Sequence, residues 1–206
     1  MGEAADSPKA RLRRELDARR KAVAATDLAR ASRAVCERIA TTAQFGRARH
    51  VVLYAARTGE VDPGALETVA GSGTGSVALY YPRVERDGLA FRRSTRSKLV
   101  PGRFGIPEPP QDAEALVPEA TDVVVLVPGL GFDRSGNRLG TGQGWYDRAL
   151  IAHRNATRIG LTLTAWILDR IPADPWDVPM HAIATEHELL VADEVVGAHP
   201  GDPPWN

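Results

Sequence analysis

Apolar positions fall at helical spacing near the N-terminus, and as continuous or alternating runs beyond residue 50. Ser7 and Pro8 read as an N-cap and first helical residue, with Leu12 and Leu16 supplying the apolar stripe. After a break near Ala24 and Ala25, Thr26 is expected to cap a second helix whose Leu28, Ala31, Val35 and Ile39 share one face. From residue 51, VVLYAA reads as a strand, and Asp62-Pro63 opens a helix through Leu66 and Val69. GSGTGS is a flexible turn, SVALYYP a strand, Asp87-Gly88 a hairpin turn and LAFRRS the returning strand. Pro101 to Glu119 reads as a proline-rich loop. A strand at Val123, a glycine loop and a helix from about Trp145 follow, then strands in RIGLTL and AIATE.

Strands alternating with helices predict an α/β single domain, in which a mostly parallel sheet is flanked by helices on both faces in a three-layer, Rossmann-like arrangement. The expected organisation is N-terminal helices over residues 1–45, an α/β core over 46–195 and a frayed tail over 196–206. A chain of 206 residues supports one sizeable core. With 26 basic and 26 acidic residues the charge balances, which disfavours nucleic acid or an anionic membrane as partner. Local basic clusters, Arg11 to Lys21 and Arg83 to Arg103, read as solvated faces. Cys36 is the only cysteine and sits in a helical pattern as a small buried hydrophobe. No apolar run approaches a membrane span, and no signal-peptide core precedes the first helix, so a reducing, cytoplasmic setting is expected.

Candidate chemistry concentrates between Val123 and Leu150. A β-branched run leads into glycines at 129, 131, 136, 140, 142 and 144, and then into Trp145-Tyr146-Asp147-Arg148 and an apolar helical pattern. A strand, a glycine loop and a helix start in that order form an anion site, because backbone N–H groups converge there and the helix end adds positive potential. The spacing matches neither a P-loop nor a dinucleotide fingerprint. Arg138 can clamp a phosphate or sit on the surface. Tyr146 can stack on a flat heterocycle or pack the helix start. Asp147 either compensates the helix dipole or ligates Mg2+, whereas Asp133 stabilises its own turn. Lys9 and Arg13 share a helix face, and Lys9 lies in a first turn that disfavours cations, so they either meet an ATP phosphate or form a solvated face. Glu60 either contacts a substrate at the sheet's carboxyl edge or caps the following helix.

The segment PGLGFDRSGNRLGTGQGWYD resembles the signature of the 5-formyltetrahydrofolate cyclo-ligase family, also called 5,10-methenyltetrahydrofolate synthetases. Further blocks match in family order: Lys9 to Arg13, Gly59 to Asp62, Tyr81 to Val84, Phe104 to Pro109 and Trp176 to Pro179. The resemblance implies an ATP- and Mg2+-dependent conversion of 5-formyltetrahydrofolate, which can be polyglutamylated, to 5,10-methenyltetrahydrofolate by a monomeric enzyme. It implies ATP contacts from Lys9, Arg13, Arg138, Leu139, Gly140, Thr141, Gly142, Gln143, Gly144, Trp145 and Tyr146, with Lys9, Arg138 and Tyr146 catalytic. It places Arg13, Tyr54, Ala55, Glu60, Phe104 and Tyr146 on the folate, and Asp147 and Asp177 on the metal. Many members carry a basic residue at position 141 and some at 143, where this chain has Thr141 and Gln143. Trp145 replaces a common tyrosine, and His181 a frequent aspartate. The thinner charge on the loop leaves a catalytically silent folate or nucleotide binder as the alternative. A different ATP-dependent enzyme on the same scaffold is a further one.

Overall fold

A computed structural model describes residues 7–72, 77–86 and 88–192. Parts of the expected GSGTGS turn, Asp87 of the expected hairpin turn and the C-terminal tail lie outside the described residues. Three helices lead: α1 (Pro8–Lys21), α2 (Ala25–Ala40) and α3 (Ala43–Arg47). Next come β1 (His50–Val52), α4 (Ala65–Ser72), β2 (Ala78–Val84), β3 (Leu89–Arg93), β4 (Val100–Pro101) and β5 (Pro107–Glu108). The chain continues through β6 (Val123–Pro128), β7 (Gly131–Asp133), β8 (Arg138–Leu139), α5 (Trp145–Ala152), β9 (Thr157–Leu161), β10 (Ile167–Leu168), β11 (Ala182–Ala184) and β12 (Leu189–Val191).

Seven strands form the central sheet in the order β12-β11-β9-β6-β1-β2-β3. The five inner strands run parallel, and the edge strands β3 and β12 are antiparallel to their neighbours. The run Val123 to Val127 is buried throughout because both sheet faces are covered. Its residues alternate between two cores. Val124 and Leu126 join Leu16 of α1, Val35 and Ile39 of α2, Phe45 of α3 and Leu66 of α4. Val123, Val125 and Val127 join Ala149 and Leu150 of α5, together with Phe91 and Phe132. The protein is thus an α/β single domain with a mostly parallel central sheet.

Several elements depart from the sequence reading. Helix α2 starts one residue before Thr26, and its N-cap is Ala24 without a side-chain hydrogen bond, so Thr26 is not the cap. Only His50–Val52 pairs as a strand; Leu53 keeps one bond to the Tyr80 carbonyl, and the chain then turns so that Tyr54 and Ala55 line the cleft described below. Asp62-Pro63 forms a turn ahead of α4 rather than its first helical residues. The proline-rich stretch folds into the small β4–β5 hairpin, and β12 continues the sheet beyond AIATE.

The chain runs from β1 to β2 on one side, then returns to β6 on the other side of β1. That reversal is the switch point at which a parallel sheet opens a crevice at its carboxyl edge. The glycine loop leaves β6 there. Its first part folds back as the β7–β8 hairpin, which Asp133 closes, accepting from the backbone N–H of Ser135 and Asn137 at 3.1 and 3.0 Å. The hairpin is pinned to the sheet through Phe132, whose ring lies over Gly160 of β9. A Cβ at position 160 would meet the ring at 2.5 Å. Gly160→Ala should therefore cost about 1–3 kcal/mol by overpacking, read as a lowered denaturation midpoint.

Candidate active site

The crevice is a cavity of about 500 Å³ lined by α1, the segment after β1, the glycine loop and the start of α5, with residues 174–177 along one wall. Helix α1 brings Lys9, Arg13, Leu16 and Arg20 onto one face, at spacings of four, three and four residues. Leu16 is buried in the core and anchors that face. Of the two cations before it, Arg13 reaches the glycine loop and Lys9 the acids at 174 and 177, while Arg20 reaches the loop after β1.

Lys9 Nζ bonds Asp174 Oδ2 and Asp177 Oδ2, both at 2.6 Å. Burial works against the ammonium, but the two carboxylates outweigh it and raise its pKa, so Lys9 stays charged. These acids explain how a cation is tolerated in the first turn of α1. Arg13 Nε donates to the carbonyl of Gly140 at 2.8 Å, and its guanidinium lies against Gly142. Arg138 crosses the cleft floor with its side chain 7% exposed. Its Nη2 pairs with Asp147 Oδ2 at 2.8 Å, and its guanidinium lies 5.6 Å from the Tyr146 ring centre. Its Nε is buried without a hydrogen-bond partner.

Gly144, at φ 62°, turns the chain into α5 and serves as an N-cap that has no side chain to cap the first-turn N–H groups. The resulting donor-rich helix start lines the same cavity as Lys9, Arg13 and Arg138, an arrangement suited to polyanionic oxygen. Asp147 lies in that first turn, and its Oδ1 accepts from the Val178 N–H at 3.3 Å. Its first-turn position fits the dipole-compensating reading of Asp147 and leaves the metal-ligating one open. Among the described residues no three His, Cys, Asp or Glu side chains form a ready metal cluster: Asp147 is paired with Arg138, and Asp177 with Lys9. Both nonetheless line the same cleft and offer the hard oxygens that Mg2+ prefers alongside phosphate.

The segment after β1 forms the other half of the cleft. Tyr54 is buried and donates to the Val61 carbonyl at 2.5 Å. Glu60 caps no helix. Its Oε2 accepts from the Arg57 N–H at 2.9 Å, and its Oε1 lies 3.3 Å from Arg20 Nη2. Burial raises the pKa of Tyr54 and of Tyr146, and the Glu60 charge adds to both shifts, so both phenols stay protonated.

The structure brings Lys9, Arg13, Tyr54, Ala55, Glu60, Arg138, Gly140 to Asp147 and Asp177 to one cavity. Two expected site residues lie elsewhere. Leu139 is fully buried in the core, because β8 alternation turns it inward while Arg138 faces the cleft. Phe104 does not line the cavity. It is 70% exposed and packs on Trp145 at 5.4 Å between ring centres, forming an aromatic rim. The solvated-face reading of the first basic cluster fails at Arg20, which is 5% exposed. Its guanidinium bonds the carbonyls of Gly59 and Gly129 and stacks on Trp166. Arg20, Asp174 and Trp176 were missed as cleft residues. For Arg20 the signal was available, since it continues the spacing of Lys9, Arg13 and Leu16.

A family model described as the 5-formyltetrahydrofolate cyclo-ligase family matches residues 5–186. The chain belongs to that family. The 5-formyltetrahydrofolate cyclo-ligase of Escherichia coli (strain K12) is 32% identical over 96 residues, 46% of this chain and 53% of that protein. The match thus spans about half the length of that relative. The Mus musculus protein of the same name is 26% identical over 196 residues, covering 88% of this chain and 95% of its own. The solved structure of Aquifex aeolicus 5,10-methenyltetrahydrofolate synthetase superposes with a TM-score of 0.79 at 29% identity, over 96% of this chain and all of that one. Among the described residues no helix is long and apolar enough to cross a membrane.

Proposed function

We propose that this cyclo-ligase family member binds ATP, Mg2+ and 5-formyltetrahydrofolate in the cleft at the switch point. It would convert them to 5,10-methenyltetrahydrofolate, ADP and phosphate, acting as a cytoplasmic monomer. The observation that carries this reading is that Lys9, Arg13, Arg138 and the uncapped start of α5 line one cavity together with Tyr54, Ala55 and Glu60.

The chemistry requires such a site. The formyl oxygen is a poor leaving group. Its attack on the γ-phosphorus of ATP breaks the bond to ADP and makes the oxygen part of a phosphate ester. The N10 lone pair then attacks the formyl carbon, N10 gives up its proton, and phosphate leaves with the C–O electrons. Catalysis of such a transfer is mainly alignment and charge neutralisation. Lys9, Arg13, Arg138 and the backbone of Gly140 to Tyr146 are assigned to the phosphates. Tyr54, Ala55, Glu60 and Tyr146 are assigned to the folate, whose far end passes the Phe104–Trp145 rim. Asp147 and Asp177 would hold Mg2+, which when bound neutralises phosphate charge. The protonated Tyr146 phenol, beside Arg138, donates a hydrogen bond rather than accepting a proton.

The silent-binder alternative rests on Thr141 and Gln143. Positive charge reaches the same loop from elsewhere, because Arg13 lies on Gly142 and Arg148 Nη1 bonds the Gln143 carbonyl at 3.0 Å. That compensation favours turnover. Lys9→Ala should raise the KM for ATP about tenfold and that for folate much less, since one charge-assisted contact is removed from the nucleotide. Equal rises in both would make Lys9 structural. The defining test is formation of the methenyl chromophore, with and without ATP.

A further inference from the structure

The turn at residues 174–177 carries an aromatic side chain outside the sets assigned to phosphate, metal and folate. The Asp177 N–H donates to the Asp174 carbonyl at 3.0 Å, and the Asp174 N–H to Asp177 Oδ2 at 2.8 Å. Pro175 takes the second position of this turn, where its fixed φ is favoured. Lys9 ties the two carboxylates together from α1. The backbone on either side of Trp176 is therefore held in place, and its indole lines the cavity while 66% exposed. The other aromatic rings of the cavity are already engaged. Trp145 meets Phe104, Tyr146 meets Phe91 and the Arg138 guanidinium, and Tyr54 is buried. Trp176 makes no ring or cation–π contact among the described residues.

We infer that Trp176 is the platform on which the base of the nucleoside triphosphate stacks, and that it makes the site prefer purine to pyrimidine nucleotides. The inference rests on the nucleotide reading of the cleft and deepens it. Position along α1 decides which substrate meets the ring. Lys9 and Arg20 lie about 16 Å apart along the helix axis. Lys9 binds the 174–177 turn at one end, and Arg20 pairs with Glu60, assigned to the folate, at the other. Val178, next after Asp177, donates its N–H to Asp147 in the first turn of α5. Trp176 thus belongs to the phosphate end of the cleft, and a base lies one ribose beyond its phosphates. An indole offers an apolar face to flat rings, and a purine covers more of that face than a pyrimidine does. Stacking reads ring area rather than hydrogen-bonding edges, so ATP and GTP are held alike. The closed turn presents the ring already ordered, which lowers the cost of binding. The base carries no reacting atom, so the platform sets nucleotide affinity and not the chemistry.

The test compares dissociation constants of ATP, CTP and inorganic tripolyphosphate by calorimetry, each with Mg2+, for the wild-type protein, Trp176→Ala and Trp176→Phe, so the readout does not depend on turnover. Trp176→Ala should weaken ATP about tenfold and CTP by less, and it should leave tripolyphosphate, which has no base, unchanged. Trp176→Phe keeps an aromatic face and should recover most of the lost ATP affinity. The Tm of both variants should match the wild type, because the ring is exposed and the turn is held by its backbone and by Lys9. An ATP affinity untouched by Trp176→Ala, or an equal loss for ATP and tripolyphosphate, overturns the platform while leaving the nucleotide reading intact. A loss of 5-formyltetrahydrofolate affinity in place of ATP affinity overturns it too and moves the ring to the folate. Binding of neither ATP nor tripolyphosphate by the wild-type protein overturns both readings.

Discussion

Asp147→Ala should reduce Mg2+-dependent turnover by more than about 100-fold, because removing even the partners of a metal ligand costs ~10–100-fold. Asp147 occupies the first turn of α5 and lines the cleft, and its Oδ2 holds Arg138 at 2.8 Å. Two effects must be separated. The substitution removes an assigned metal oxygen, and it also leaves a guanidinium that is 7% exposed without its counter-charge. Breaking such a pair on one side destabilises by about 3–5 kcal/mol where burial is complete, and by less here because the cleft admits water. Asp147→Asn separates them. It keeps an oxygen for the Val178 N–H and adds no cavity, so a preserved Tm with lost turnover assigns the loss to the site. Titrating Mg2+ against each variant completes the test, since a lost ligand shifts the half-saturating concentration upward. Unchanged turnover in both variants would remove Asp147 from the metal set.

Arg20→Met should lower stability by about 3–5 kcal/mol, one of the larger losses available to a single substitution in this fold. The guanidinium is buried and serves the Gly59 carbonyl at 3.0 Å, the Gly129 carbonyl at 3.3 Å and Glu60 Oε1 at 3.3 Å, with the Trp166 ring beneath it. Through these contacts α1 is tied to the loop after β1 and to the start of the glycine loop, so one side chain joins the two halves of the cleft. Methionine keeps part of the volume and loses every donor. For a chain of this size the expected change is roughly a 10 °C fall in Tm by calorimetry. Adding Glu60→Gln to Arg20→Met should recover part of the loss, because the stranded carboxylate is then neutral. A single-variant loss below about 1 kcal/mol would show that Arg20 is peripheral.

The sheet was legible because its signals are long and local. The unbroken β-branched run Val123 to Val127 reads as a strand covered on both faces, and strand–helix alternation points to a mostly parallel sheet, though not to its strand order. The glycine loop announced a site through residue type, since strand, glycines and helix start need no distant partner to be recognised. What stayed hidden depends on contacts across the chain. Lys9 is matched to Asp174 and Asp177 over more than 160 positions, and no pattern along the sequence couples them. Leu139 belongs to the family signature yet faces the core, because a two-residue strand sends its neighbours to opposite sides. Thr26 lost the cap because the chain turned helical one residue earlier, from an alanine with extended backbone. Arg20 was grouped with its solvated neighbours, although its spacing already placed it on the face of Leu16.

The positions at which this chain departs from its family's pattern also find physical settings. Thr141 and Gln143 lie on a loop that Arg13 and Arg148 flank. His181 is buried against Arg158, accepting the Arg158 backbone N–H at Nδ1 at 2.9 Å and meeting its guanidinium at Nε2 at 2.9 Å. Burial lowers the Arg158 pKa to about 10, and its Nε donates to the Pro179 carbonyl. This pair ties the chain just past Asp177 to β9. Neither residue lines the cavity.

The measurement that bears most directly on the central claim is the near-ultraviolet absorbance of the methenyl product, followed after mixing the protein with Mg2+, ATP and 5-formyltetrahydrofolate. The predicted result is a rise that needs protein, ATP and Mg2+ together and is accompanied by one ADP per methenyl group formed. A flat trace from protein that still binds the folate in calorimetry would contradict the enzymatic reading. It would leave a folate-binding member of the family whose loop charge at Thr141 and Gln143 is too low for phosphoryl transfer.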